Sequence, residues 1–137
     1  MNTKILLIDD DQVSLLIAKK YLIISGVQDI VHEILIFDDA ADALRLLREL
    51  EVKSESSLLC ILLDINMPEI NGWDFLNSIK NKNLHNHVKV IMLTSSISEE
   101  DKNRAASFSS VYGYISKPLD EQKCKEIKQI ILGSAKA

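Results

Sequence analysis

Four short apolar runs in this chain each stop at a polar residue of definite chemistry. Ile5-Leu6-Leu7-Ile8 stops at Asp9-Asp10, and Leu58-Leu59-Cys60-Ile61-Leu62-Leu63 stops at Asp64. Val88-Lys89-Val90-Ile91-Met92-Leu93 stops at Thr94, and Val111 to Ile115 leads through Ser116 to Lys117-Pro118. Runs this short and this apolar suit strands buried on both faces, as in a parallel sheet covered by helices. If they are parallel neighbours, their carboxyl ends lie along one edge. That edge then collects three carboxylates, one hydroxyl and one ammonium, and it is where ligands bind in open α/β sheets.

Helical spacing recurs between the runs. Strands are expected at 4–9, 31–37, 58–64, 88–93 and 111–115. Val13, Leu16, Ile17, Tyr21 and Ile24 mark a first helix, with Gly26 as its stop. Ala40, Ala43, Leu44, Leu47 and Leu50 mark a second; Phe75, Leu76 and Ile79 mark a third, after Gly72. Residues 98–108 form a fourth with few apolar positions, and Cys124, Ile127 and Ile131 mark a fifth, ahead of Gly133. Residues 53–57 and 81–87 are polar connections. A β-α unit repeated five times implies a doubly wound α/β domain around a parallel sheet. The 137 residues suit a single domain over 1–137, with a core at about 3–132, a short C-terminal tail and no room for an effector domain.

A net charge of −4 without a basic stripe argues against nucleic acid as the main partner. No apolar stretch approaches the roughly 20 residues that span a bilayer. Only four apolar residues follow Lys4 before Asp9-Asp10-Asp11, which does not resemble a signal peptide; a cytoplasmic location is expected. Cys60 and Cys124 sit in apolar patterns, so reduced, buried thiols are expected. No CxxC spacing supports zinc.

An aspartate ending one strand is ordinarily a turn or cap residue. Three that converge are different, because like charges about 4 Å apart repel by roughly 4 kcal/mol at an effective dielectric near 20. Such a cluster needs a cation, a shared proton or a basic neighbour. A hard divalent ion suits oxygen ligands, and Mg²⁺ combines one or two carboxylates with waters and phosphate oxygens. The assembly fits a phosphoryl group, whose transfer needs positioning, charge neutralisation and an in-line nucleophile. A carboxylate can be that nucleophile. Asp64 is the expected acceptor, since it ends the most apolar and therefore most central strand. Asp9 and Asp10 would hold the metal, with Thr94 and Lys117 on the phosphoryl oxygens.

Five segments together resemble the receiver domain of two-component response regulators, close to the single-domain chemotaxis-regulator type. They are Leu6 to Asp10, Leu62-Leu63-Asp64-Ile65-Asn66-Met67-Pro68, Asn71-Gly72, Ile91-Met92-Leu93-Thr94-Ser95 and Gly113-Tyr114-Ile115-Ser116-Lys117-Pro118. The resemblance covers nearly the whole chain. It implies a flavodoxin-like (βα)5 fold with strand order 2-1-3-4-5. It implies a phosphoryl group passed to Asp64 from a sensor histidine kinase or a histidine phosphotransfer protein. Mg²⁺ (or Mn²⁺) would be bound by Asp10, Asp64 and the Asn66 carbonyl, with Asp9 acting through water. Thr94, Ser95 and Lys117 would contact the phosphoryl group, and Tyr114 would turn inward behind Thr94. Asn66 and Ser96 would tune the phosphoryl lifetime. A cis peptide would join Lys117 to Pro118. Such a chain is not an enzyme beyond its own phosphorylation and dephosphorylation. It would be a monomer or weak dimer, away from membranes. Its face of fourth helix, fifth strand and fifth helix would control a protein target or lead into a phosphorelay.

Other features have plainer readings. His85 and His87 belong to a polar loop, and His32 to an exposed strand start. Trp73 is a packing residue, Met67-Pro68 shapes a loop, and Glu99-Glu100-Asp101 is the acidic first turn of a helix. Two competing functions stand beside the switch. Asp9-Asp10-Asp11-Gln12-Val13 satisfies the Asp-x-Asp-x-Thr/Val pattern of haloacid-dehalogenase-like phosphohydrolases, with Asp9 as nucleophile and Asp11 as acid. That reading leaves Asp64 and Asn66-Met67-Pro68 unexplained. The other alternative is a pseudo-receiver that binds partners without phosphorylation.

Overall fold

The structure, a computed structural model, describes residues 2–52, 57–82 and 87–133. Five strands alternate with five helices: β1 (Asn2–Ile8), α1 (Gln12–Ile24), β2 (Glu33–Phe37), α2 (Ala40–Val52), β3 (Ser57–Leu63), α3 (Gly72–Asn81), β4 (Val88–Thr94), α4 (Glu99–Ala106), β5 (Val111–Ser116) and α5 (Glu121–Ile131). The strands form one sheet in the order β2-β1-β3-β4-β5, with every neighbouring pair parallel. The expected order holds, and strand ends differ from the sequence reading by only one or two residues. β3, the most apolar run, is the middle strand.

Alternation along the strands separates two cores. Leu6, Ile8, Ile61, Leu63, Val90 and Met92 face the layer of α2, α3 and α4. Ile5, Leu7, Cys60, Leu62, Ile91 and Leu93 face α1 and α5. Helices cover both faces, so the central strands carry no polar face of their own.

The buried face of α1 corrects the sequence reading. Val13 is 63% exposed, Leu16 70% and Ile24 52%, whereas Leu15, Ala18 and Leu22 are buried. Ile17 and Tyr21 are half-buried. Between Val13 and Ile24 apolar residues lie nearly all round the helix, so periodicity alone selects no face. The direction in which the sheet lies selects it. After α1, Gly26 adopts φ 83°, the left-handed conformation that ends many helices. A short 3-10 turn at Val27–Ile30 follows, which the spacing did not reveal; it buries Val27.

Gly72 is required by close approach. A Cβ there would lie 2.5 Å from the Asp64 carbonyl oxygen and 2.8 Å from the Ile65 Cα. The Gly72 N–H donates to the Ile65 carbonyl at 2.8 Å, pinning the start of α3 against the chain that leaves β3.

Cys60 and Cys124 are both free and buried, as expected. Burial pushes the Cys60 thiol up to about 12, against a smaller opposing pull from Lys89, and raises Cys124 as well. Among the described residues no helix is long and apolar enough to cross a membrane. His32 and His87 are exposed, and His85 lies outside the described residues.

Two outcomes follow for stability. Gly72→Ala should destabilise the chain by about 2 kcal/mol in denaturant unfolding, because backbone must shift to admit the methyl group; an unchanged midpoint would contradict the packing described. Because the Cys60 pKa is raised on folding, the folded state holds that proton more tightly. Its contribution is complete below pH ~9 and is lost as pH rises toward ~12. Neither thiol should react quickly with an aromatic disulfide at pH 8 in the native state, and both should react in denaturant. One fast native thiol would refute their burial.

Candidate phosphoryl-acceptor site

Register brings the site together. Ile8 pairs with Leu63 across β1 and β3, so Asp9 and Asp64 leave neighbouring strands at the same level. The ladder continues one residue beyond the strands, with the Asp64 N–H donating to the Ile8 carbonyl at 3.1 Å. Thr94 pairs with Ser116 at the ends of β4 and β5, and the Lys117 N–H donates to the Thr94 carbonyl at 2.9 Å. Lys117 thereby starts from the sheet edge, with its side chain free to reach across.

It reaches the acids. Lys117 Nζ lies 2.6 Å from Asp9 Oδ2 and 3.2 Å from Asp64 Oδ2. Asp9 and Asp64 are buried and Asp10 is exposed, yet one carboxylate oxygen of each lies within 4.8 Å of the others. The lysine expected on the far side of a phosphoryl group therefore also bridges two of the acids. Burial raises the Asp64 carboxyl above its ordinary range; Lys117 pulls it down, Asp9 pushes it up, and a smaller pull comes from the Thr94 hydroxyl. Burial works against the Lys117 charge, but the hydrogen bond and charge of Asp9, with Asp64, outweigh it and raise its pKa. With all four groups ionised, three carboxylates face one ammonium. The excess negative charge and the hard oxygen donors fit a divalent cation such as Mg²⁺.

The three consecutive aspartates divide their work. Asp9 also accepts the Asp11 N–H at 3.0 Å. Asp11 is the N-cap of α1, its carboxylate accepting from Val13 N–H at 3.0 Å and Ser14 N–H at 3.4 Å. Such a cap typically contributes about 1 kcal/mol. The phosphohydrolase reading needs Asp11 as an acid in the site; here its carboxylate serves the helix.

Thr94 ends β4 fully buried. Ser95 is exposed, Ser96 half-buried, and Asn66 exposed in the loop after β3. The Lys117–Pro118 peptide is cis, as the resemblance implied. Tyr114 is half-buried, and its hydroxyl donates to the Ser96 carbonyl at 3.0 Å. Trp73 packs as expected: its ring stacks on Phe108 at 6.4 Å between centroids, and the Arg104 guanidinium lies 4.3 Å above it. Glu99, Glu100 and Asp101 form the acidic first turn of α4, but Asp101 does more than complement the helix dipole. Its Oδ2 accepts the Ser96 hydroxyl at 2.6 Å. The sequence reading did not single out that contact; the Ser98-x-x-Asp101 spacing is the signal that could have pointed to it.

Comparison with known proteins agrees with this geometry. The model of the response regulator receiver domain matches residues 5–129. The chain is 27% identical to chemotaxis protein CheY1 of Helicobacter pylori (strain J99) over 131 residues, spanning 96% of this chain and 98% of that protein. It is 30% identical to chemotaxis protein CheY-3 of Vibrio cholerae over 125 residues, covering 91% of this chain and 88% of that one. Among solved structures, a two-component response regulator from Cytophaga hutchinsonii superposes with a TM-score of 0.83 at 28% identity, over 97% of this chain and 98% of that chain. The family match, the strand order and the acids gathered at the sheet's carboxyl edge converge: the chain belongs to the response regulator receiver domain family, and is CheY-like.

Proposed function

We propose that Asp64 accepts a phosphoryl group in a metal-dependent reaction, and that the chain acts as a stand-alone switch. The observation that carries this reading is the placement of Asp9, Asp10 and Asp64 within 4.8 Å of one another, with Lys117 Nζ 3.2 Å from Asp64. An Asp64 carboxylate oxygen attacks the phosphorus of a donor phosphohistidine. The P–N bond breaks, the donor imidazole leaves with the electron pair, and an acyl phosphate forms on Asp64. Mg²⁺ held by Asp9, Asp10 and Asp64, with the Asn66 carbonyl, would neutralise charge on the phosphoryl oxygens. Lys117 supplies fixed positive charge beside the acceptor, and Thr94 offers a hydroxyl from the next strand. Burial of Asp9 and Asp64 keeps bulk water from screening these interactions.

The partner reading follows from the chemistry. A sensor histidine kinase or histidine phosphotransfer protein supplies the phosphoryl group, and α4, β5 and α5 present the altered state to a protein target. Similarity along 98% of the length of CheY1, a chemotaxis protein, supports reading this chain as a switch of the chemotaxis-regulator kind. Ser96 is neutral and short, so it cannot act as a strong base toward water. This favours a modest self-dephosphorylation rate, with no turnover of a separate substrate.

Incubation with acetyl phosphate and Mg²⁺ should add one phosphoryl mass to the wild type and none to Asp64→Asn. EDTA should abolish labelling. Label on Asp9 would favour the phosphohydrolase reading, and a wild type that takes no label would favour a pseudo-receiver. Lys117→Ala leaves Asp9 and Asp64 without their shared cation. In EDTA it should lower stability by roughly 1–3 kcal/mol, and added Mg²⁺ should recover part of that loss in a thermal melt. A variant as stable as wild type in EDTA would show that Lys117 does not hold the acids together.

A further inference from the structure

Helix α4 begins on a hydrogen-bond ring that passes through a loop residue. Ser98 is its N-cap, with Oγ accepting the Asp101 N–H at 3.1 Å. In an ordinary capping box the acid three residues on closes the ring by accepting the N-cap N–H. Asn71 and Asp74 do this directly at α3, at 2.9 and 3.1 Å. At α4, Ser96 is inserted into the ring: the Ser98 N–H donates to Ser96 Oγ at 3.4 Å, and Ser96 Oγ–H donates to Asp101 Oδ2 at 2.6 Å. The Ser96 N–H donates to Thr94 Oγ1 at 3.3 Å, and its carbonyl accepts the Tyr114 hydroxyl. Thr94, the start of α4 and Tyr114 therefore all meet at Ser96.

We propose that Asp101 is a positioning residue of the switch: by holding the Ser96 hydroxyl it ties the first turn of α4 to Thr94, so that Thr94 turns toward a phosphoryl group only as the α4 cap loosens. The inference rests on the phospho-acceptor reading and extends it to a residue outside the site. The long links, from the Ser96 and Ser98 amides, are the weak ones; the 2.6 Å bond to a carboxylate is the strong one. When Thr94 Oγ1 rotates away, the Ser96 N–H loses its acceptor and the segment held by Asp101 is released. Only Ala105 of α4 is buried, so little apolar packing restrains the helix once its cap weakens.

Coupling of this kind is reciprocal: if phosphoryl binding loosens the cap, loosening the cap favours phosphoryl binding by the same factor. The test is titration of the full chain with beryllofluoride and Mg²⁺. Asp101→Ala should bind about threefold more tightly or better, the scale of one lost hydrogen bond. Asp101→Asn keeps an acceptor without the charge and should fall between, which guards against a folding defect in the alanine variant. Glu100→Ala removes the same charge from the same turn and should bind as wild type. In a Ser96→Ala background Asp101→Ala should add nothing. Equal or weaker binding by both Asp101 variants, or a gain undiminished without the Ser96 hydroxyl, overturns the inference alone. A wild type that takes no beryllofluoride overturns the phospho-acceptor reading and this inference with it.

Discussion

Two buried carboxylates sharing one ammonium are the interaction on which the rest of this molecule depends. At separations near 4 Å the mutual repulsion of two acids is roughly 4 kcal/mol at an effective dielectric of 20. Asp9 and Asp64 tolerate it because Lys117 lies against both. Lys117 can be there only if β5 ends level with β4, and the acids can meet only if β1 and β3 end level with each other. The parallel register meets both requirements. Apolar layers above and below then keep the strands from sliding apart to relieve the charge.

The same arrangement suits a small hard cation. Three carboxylates and one ammonium leave negative charge in excess, which favours a small hard cation. A cation in turn allows a dianionic phosphoryl group to approach a carboxylate that would otherwise repel it. Gly72 adds a steric condition. With no Cβ, α3 starts directly against the Asp64 backbone, so the strand that ends at Asp64 is closely backed on its loop side.

The helices around the site are not equally anchored. α3 buries Trp73, Phe75, Leu76 and Ile79 and starts on a closed capping box. α4 buries only Ala105, and its start is held through Ser96. Its other end is held by Arg104 over Trp73 and by Phe108 stacked on the same ring. Polar links at one end and ring contacts at the other anchor α4 less firmly than the apolar face that anchors α3. Elements of low local stability are where conformational responses concentrate.

The central place of β3 and the gathering of Asp9, Asp10, Asp64, Thr94 and Lys117 at one edge were legible in the sequence pattern, and the strand order was implied by the family resemblance. Uninterrupted apolar runs admit few arrangements, and a polar residue that ends such a run must emerge at the rim. Which face of α1 is buried was not legible, because its apolar residues surround the helix and only the sheet breaks the tie. The bridge from Lys117 to Asp9, the close approach at Gly72 and the ring through Ser96 and Asp101 were likewise settled by tertiary structure. Each joins groups whose distance depends on how two elements pack, and a pattern along one strand or helix carries no record of that distance.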